Sequence, residues 1–189
     1  DYEEVQNGTN PLSSAGHSSP LFRALQFPGT PDDYMELPDD LRFSLEDWTI
    51  EAWIYPENNS AGQIVRRVLN DDKTLYNYSL HLTNGNLEVT FHDGTGTTYS
   101  LQSSDSVPTD KWTHVATTFD SENHKLQLIV NGKQVAVRKA TTLPLTSGGG
   151  FGHTRVGTSF DGLIDDLRFW NVVKSPANID SDRDDILPG

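Results

Sequence analysis

The chain has 189 residues, 34% apolar and 10% aromatic, which is enough to bury one core and short enough to be one domain with tails. It has no cysteine, which excludes a disulfide scaffold and a thiolate zinc site, and no apolar run nears the roughly 20 residues that cross a bilayer. The net charge of −13 repels phosphate backbones and anionic lipid, so nucleic acid and membrane insertion are set aside, while hard cations fit.

The acids are uneven: ten against two bases in residues 1–50, ten against nine in 51–160, and seven against three in 161–189. Asp1 to Glu4 show none of the basic or apolar segments of a signal peptide, as expected of a mature or excised fragment. Residues 1–21, rich in Asn, Gly, Ser and Pro, read as a linker or loosely docked N-terminal arm. From 22 to 174, short apolar stretches alternate with turn residues, and no three-turn amphipathic helix appears.

In chain order, Trp48–Tyr55 is apolar on both faces, as a central strand should be. Asn84-Gly85 predicts a two-residue type I′ hairpin loop. Counting outward from it puts Leu80 and Leu82 on one face with Leu87, Val89 and Phe91. His81 then lies opposite Glu88, Ser79 opposite Thr90 and Asn77 opposite His92. Trp112–Phe119 is a second central strand. A hairpin at Asn131-Gly132 places Leu126, Leu128 and Val130 on one face with Val135 and Val137. Gly162–Trp170 is the last strand, and Ser175-Pro176 predicts the cap and first position of a short helical turn in an acidic tail, 175–189.

Several segments carry a resemblance: Ala24–Gly29 with Asp32–Glu36, Trp48–Pro56, Lys111–Ala116, Leu128–Gly132 and Phe160–Asn171. In this order they resemble the laminin-G-like family related to pentraxins, over about residues 22–187. The implied fold is all-β: a two-sheet antiparallel jelly-roll β-sandwich of the concanavalin A-like lectin/glucanase type. Residues 171–189 are also similar to the end of repeats in large secreted bacterial surface proteins. There another strand follows, so an edge is expected to be filled by the N-terminal arm or left open.

Asp165 has the parity of Leu163, Leu167 and Phe169, which aims its carboxylate at the apolar face, where an unpaired charge is costly. The resemblance implies a structural Ca²⁺ where the first and last strands meet. Its implied ligands are Gly29, Asp32, Asp33 and Asp165, with Asp166 in reserve, and an oxygen-only set suits that ion. The alternative is that Asp165 caps a turn or pairs with Arg42 or Arg168, and that Asp32-Asp33 is a solvated turn.

Sugar sites need aromatic faces beside fixed polar groups. The ligand-binding candidates are Trp53, Tyr55, Asn77, His81, His92 and Tyr99, with Arg66 and Arg67 on a connection between strands. The competing assignment makes Trp53 core and Asn77–His92 and His81–Glu88 ordinary surface pairs. Catalysis lacks a basis. Glu51 is the lone acid of its strand, and the Glu-x-Asp-x-x-Glu, His-Glu-x-x-His, Gly-x-Ser-x-Gly and phosphate-loop patterns are absent.

The expectation is a non-catalytic, calcium-stabilised carbohydrate-binding or adhesion module of a large secreted or cell-surface protein. Its partners would be a glycan or a surface-protein ligand and the neighbouring domains of the same chain. Two alternatives stand beside it: a structural spacer or protein-contact module, and a carbohydrate-binding module appended to a glycosidase.

Overall fold

A computed structural model of the chain describes residues 24–70, 73–148 and 152–185. The strands are β1 (Leu25–Pro28), β2 (Met35–Leu37), β3 (Trp48–Pro56), β4 (Gly62–Val68), β5 (Tyr76–Thr83) and β6 (Asn86–His92). They continue with β7 (Thr98–Ser106), β8 (Thr113–Asp120), β9 (Lys125–Val130), β10 (Lys133–Lys139), β11 (His153–Val156) and β12 (Asp161–Trp170). Among the described residues one α-helix, α1 (Pro176–Asp182), follows. The strands form two six-stranded sheets, ordered β1-β12-β3-β8-β9-β10 and β2-β11-β4-β5-β6-β7, which we call sheets A and B. The neighbours β4–β5, β5–β6, β6–β7, β8–β9 and β9–β10 pair antiparallel, as do the long-range pairs β1–β12, β12–β3 and β11–β2. This is the jelly-roll sandwich expected from the sequence. The predicted arm over 1–21 and any strand beyond Gly189 lie outside the described residues.

Alternation along each strand sends one row of side chains into the space between the sheets. Trp48, Ile50, Ala52 and Ile54 of β3 meet Tyr78, Leu80, Leu82, Leu87, Val89 and Phe91 of β5 and β6 in one continuous core. Trp48 stacks on Phe119 at 5.0 Å, and Phe91 meets Phe119 edge-on at 5.3 Å. Both Asn-Gly loops form as predicted: Asn84 and Gly85 have φ of 51° and 80°, Asn131 and Gly132 of 47° and 73°. Gly132 also touches α1, since a Cβ there would lie 2.0 Å from Asp180 Oδ1.

Two bulges in sheet A overturn parity read from the sequence. In β10 the register slips between Gln134 and Ala136, so Ala136 faces Leu128 and Val137 faces Gln127. Val135 and Val137 are therefore 38% and 50% exposed, not on the core face with Leu126, Leu128 and Val130. In β12, Asp166 has φ of 50° and the register jumps from Asp165 opposite Trp53 to Arg168 opposite Glu51. Ile164, Leu167 and Phe169 thus serve the core, while Asp165 shares the outer face with Leu163. The expected carboxylate on the apolar face is corrected accordingly.

Candidate functional site

The outer face of sheet A is partly covered. Thr49, Glu51, Trp53 and Tyr55 point away from the core, and α1 covers part of this side. Ser175 caps α1 by accepting from the Asn178 amide, with Pro176 in the first turn, as predicted. Ile179 is fully buried against Ala116 and Ile129. Trp53 is 8% exposed, donates from Nε1 to the Arg183 carbonyl at 3.1 Å and meets His114 edge-on at 5.2 Å. Tyr55 is half-buried and tilts onto Trp112 at 5.7 Å.

Beneath this cover, Glu51 accepts from Trp170 Nε1 at 2.7 Å and from Lys174 Nζ at 3.4 Å. Its other oxygen lies 3.6 Å from His114 Nε2. Burial, reinforced by Arg183, Arg168 and Lys174, holds the His114 imidazole down at about 3, so the ring is neutral and Lys174 is the cation that balances Glu51. Arg168 ties the β12 bulge to the end of α1 and the turn after it, donating to Asp166 and to the carbonyls of Asp182 at 2.8 Å and Asp185 at 2.5 Å.

The outer face of sheet B is open and polar. Across it, Glu36 opposes Arg155, Arg155 opposes Arg66, Arg66 opposes Ser79, Ser79 opposes Thr90, and Thr90 opposes Ser100. Directly opposed residues share a face, so these side chains form one row. Beside it His81 opposes Glu88 and Glu88 opposes Gln102, and on the other flank His92 opposes Thr98. Arg66, Tyr76, His81, Glu88 and Arg155 are half-buried and Gln102 is exposed.

A directed chain of contacts orders this face. Arg66 Nε donates to Ser79 Oγ at 3.2 Å, and Ser79 Oγ lies 3.3 Å from His81 Nδ1. His81 Nε2 lies 3.3 Å from Glu88, which also accepts from Thr83 at 2.7 Å. Donation from Ser79 to Nδ1 leaves the proton of His81 on Nε2, facing the carboxylate. His92 accepts from the Tyr76 amide at Nδ1, 3.3 Å away, and its Nε2 is 3.0 Å from Thr98 Oγ1. Burial lowers both imidazoles below their ordinary value, Glu88 opposing it at His81 and Arg66 reinforcing it at His92.

The structure therefore divides the sequence-derived candidates. Arg66, His81 and His92 share the outer face of sheet B. Trp53 and Tyr55 lie on the far sheet. Tyr99 stacks on Phe91 at 5.1 Å beside the core, its hydroxyl reaching Thr141 at 2.5 Å. Asn77 is buried and does not meet His92: it accepts from the Leu45 amide at 2.8 Å and donates to the carbonyls of Leu45 and Leu145 at 2.9 Å. Arg66 and Arg67 belong to β4, not to a connection. Arg67 is buried and reaches Asp39 at 2.7 Å.

The implied metal ligands do not converge. Gly29 lies against Asp161, its amide donating to the Phe160 carbonyl at 2.9 Å. Asp165 is four residues further along β12, roughly 13 Å at strand spacing. Asp32 and Asp33 are exposed, and Asp33 accepts from Thr30. Asp166 pairs with Arg168, and Arg42 with Asp40 at 2.6 Å, so neither arginine serves Asp165, whose Oδ1 accepts from the Asp166 amide at 2.8 Å. Among the described residues no group of three or more His, Asp or Glu stands close enough to hold a metal. Gly29, Asp32, Asp33, Asp165 and Asp166 as placed here do not fit a calcium ion.

A family model of the concanavalin A-like lectin/glucanases superfamily, laminin-G type, matches residues 28–180. The chain belongs to that family. A carbohydrate-binding module of the Ruminococcus gnavus IT-sialidase, solved with α2,3-sialyllactose, is similar at 20% identity and a TM-score of 0.63, over 79% of this chain and 96% of that one. A domain of a Geobacillus stearothermophilus extracellular arabinanase, solved with arabinotriose, is similar at 22% identity and 0.64, over 84% and 75%. A heptameric pentraxin of Limulus polyphemus is similar at 15% and 0.60, over 83% and 79%. These likenesses concern the fold. A search of curated proteins finds no match.

For a laminin-G-like sandwich, the residues that sequence reasoning missed are informative. Arg155 lies over the Tyr34 ring at 4.1 Å and pairs with Glu36 at 2.9 Å, while Tyr76 lies under Arg66 at 4.8 Å. Alternation in His153–Val156 could have flagged β11, but its register with β4 and β2 joins segments too far apart in sequence to be counted out from a turn. Among the described residues no helix is long and apolar enough to cross a membrane.

Proposed function

We propose that this laminin-G-like domain is a non-catalytic glycan-binding module whose binding surface is the outer face of sheet B. The observation that carries the reading is the asymmetry between the two outer faces. That of sheet A is covered in part by α1, over the buried Glu51–Trp170–Lys174 cluster, while that of sheet B presents half-buried Arg66, Tyr76, His81 and Arg155 to solvent. Fixed donors and acceptors beside a tyrosine ring are what a sugar's hydroxyls and apolar face require. The similarity to modules solved with sialyllactose and arabinotriose supports the same reading.

Non-catalysis is supported by the acids themselves. Glu88 is engaged by His81 and Thr83, Glu36 by Arg155, and Glu51 lies buried under Trp170 and Lys174. None forms a facing pair of free carboxylates of the kind glycoside hydrolysis uses. We read the domain as part of a larger extracellular protein, in keeping with the sialidase module and the arabinanase domain it resembles. Calcium is left out of this reading, because the residues expected to hold it lie apart.

A glycan array probed with the purified chain tests the proposal. Retention on at least one glycan class, with no product released on incubation with it, is the expected result. A folded protein that binds nothing across neutral and acidic glycans overturns it.

A further inference from the structure

We propose that Arg66 anchors a carboxylate-bearing saccharide, a sialate or a uronate, on the outer face of sheet B; this rests on the glycan-binding reading and names the class of glycan. Arg66 is the uncompensated cation of the central row. Its neighbour Arg155 is neutralised by Glu36 at 2.9 Å, and the other acid of the face, Glu88, serves His81 and Thr83. Among the described residues no carboxylate lies within ion-pair distance of Arg66. In a chain of net charge −13, an arginine held half-buried without an acid is a departure that a ligand explains better than solubility does.

The guanidinium is also held in place for such a ligand. Its Nε is fixed by Ser79, which leads through His81 to Glu88, and the Tyr76 ring lies 4.8 Å from its carbon. No described group bonds to its two Nη atoms. A fork of parallel N–H groups beside an aromatic ring matches the two coplanar oxygens of a carboxylate. Burial lowers the Arg66 guanidinium from its ordinary value with only Tyr76 opposing, so a bound anion would relieve a desolvated charge. With His81 and His92 held neutral and Arg155 already paired, one positive charge is available, which suits a monoanionic sugar. Ser79 and the His81–Glu88 pair adjoin the position and can meet ring hydroxyls, while Ser100 and Gln102 lie three strands away, roughly 14 Å, where a second sugar unit would reach.

Isothermal titration of the purified chain tests this with α2,3-sialyllactose against lactose, a glucuronate-terminated disaccharide against its glucose counterpart, and a sulfated disaccharide. The expected result is that a carboxylated sugar binds about tenfold or more tighter than its neutral match. That gain should shrink with added salt and disappear in Arg66→Gln, while Lys133→Gln on the opposite sheet keeps it. Melting curves establish that each variant is folded. Equal binding of carboxylated and neutral sugars, or affinity unchanged in Arg66→Gln, overturns the acidic-sugar assignment and leaves the glycan reading standing. Binding of the sulfated sugar alone also overturns the assignment. Absence of binding by every saccharide removes the glycan reading itself.

Discussion

The indole of Trp170 donates to Glu51 at 2.7 Å, so the end of the last strand is tied to a fully buried carboxylate in the middle of its neighbour. Removing that carboxylate leaves the indole N–H without its acceptor and Lys174 with Asp182 as its remaining partner at 3.1 Å. Glu51→Ala should lower stability by roughly 3 kcal/mol, the scale for breaking a buried ion pair. Glu51→Gln, which keeps an acceptor for Trp170, should lose less. Urea denaturation of the two variants measures the difference, and equal small losses would show that the cluster is wetter than described.

His114 gives the fold a defined response to acid. Its folded value is depressed to about 3 from an ordinary 6.5, so between these limits the unfolded chain holds a proton that the folded chain refuses. Stability from this group is complete above about pH 6.5 and is lost progressively as pH falls toward 3. A His114→Gln variant should show a shallower fall of Tm across that window than the parent protein. Parallel pH profiles for the two would place the acid sensitivity elsewhere.

Ile179 is the apolar pin of α1, buried with Ala116 and Ile129. Ile179→Ala should cost about 2–4 kcal/mol, the usual range for truncating a fully buried aliphatic. It should also loosen the cover over Trp53, whose indole is bonded to the Arg183 carbonyl. A red shift in tryptophan fluorescence ahead of global unfolding is the expected signature. A single transition with unchanged emission below it would mean that the helix and the sandwich unfold together.

How far the sequence could be read follows from where its periodicity was local. The Asn84-Gly85 hairpin was legible from Ser79 to Thr90, because a two-residue turn fixes register and face until a bulge intervenes, as one does at Asn77. The class and the central strands were legible for the same reason of pattern. Parity failed at β10 and β12, because a bulge adds one residue with no compositional mark: Asp166 carries the positive φ although a glycine would accept it more readily. The binding face was only partly visible. Arg66, His81 and His92 could be named, but Arg155 and Glu36 join them through pairings that no turn announces. The division of Trp53 and Tyr55 from that face depended on which sheet each strand joins, a tertiary fact.

Asp165 provides the last test, since it separates the calcium expectation from the geometry. Burial, with the charge of Asp166 adding, raises its carboxyl above the ordinary 3.8, and the Asp166 amide only partly offsets this. A raised folded value means stability that is present below about 3.8 and declines as pH rises and the buried group must ionise. Asp165→Asn removes that ionisation while keeping an oxygen for the Asp166 amide. The variant should therefore melt higher than the parent at pH 7, with the gap closing on acidification, in EDTA and in millimolar calcium alike. A cation held by Asp165 predicts the reverse: calcium would raise the parent's Tm through binding to the folded state, and the asparagine would forfeit that gain. Melting curves of both proteins at pH 7 and pH 4, with and without calcium, distinguish a carboxylate that weakens the fold from one that holds an ion.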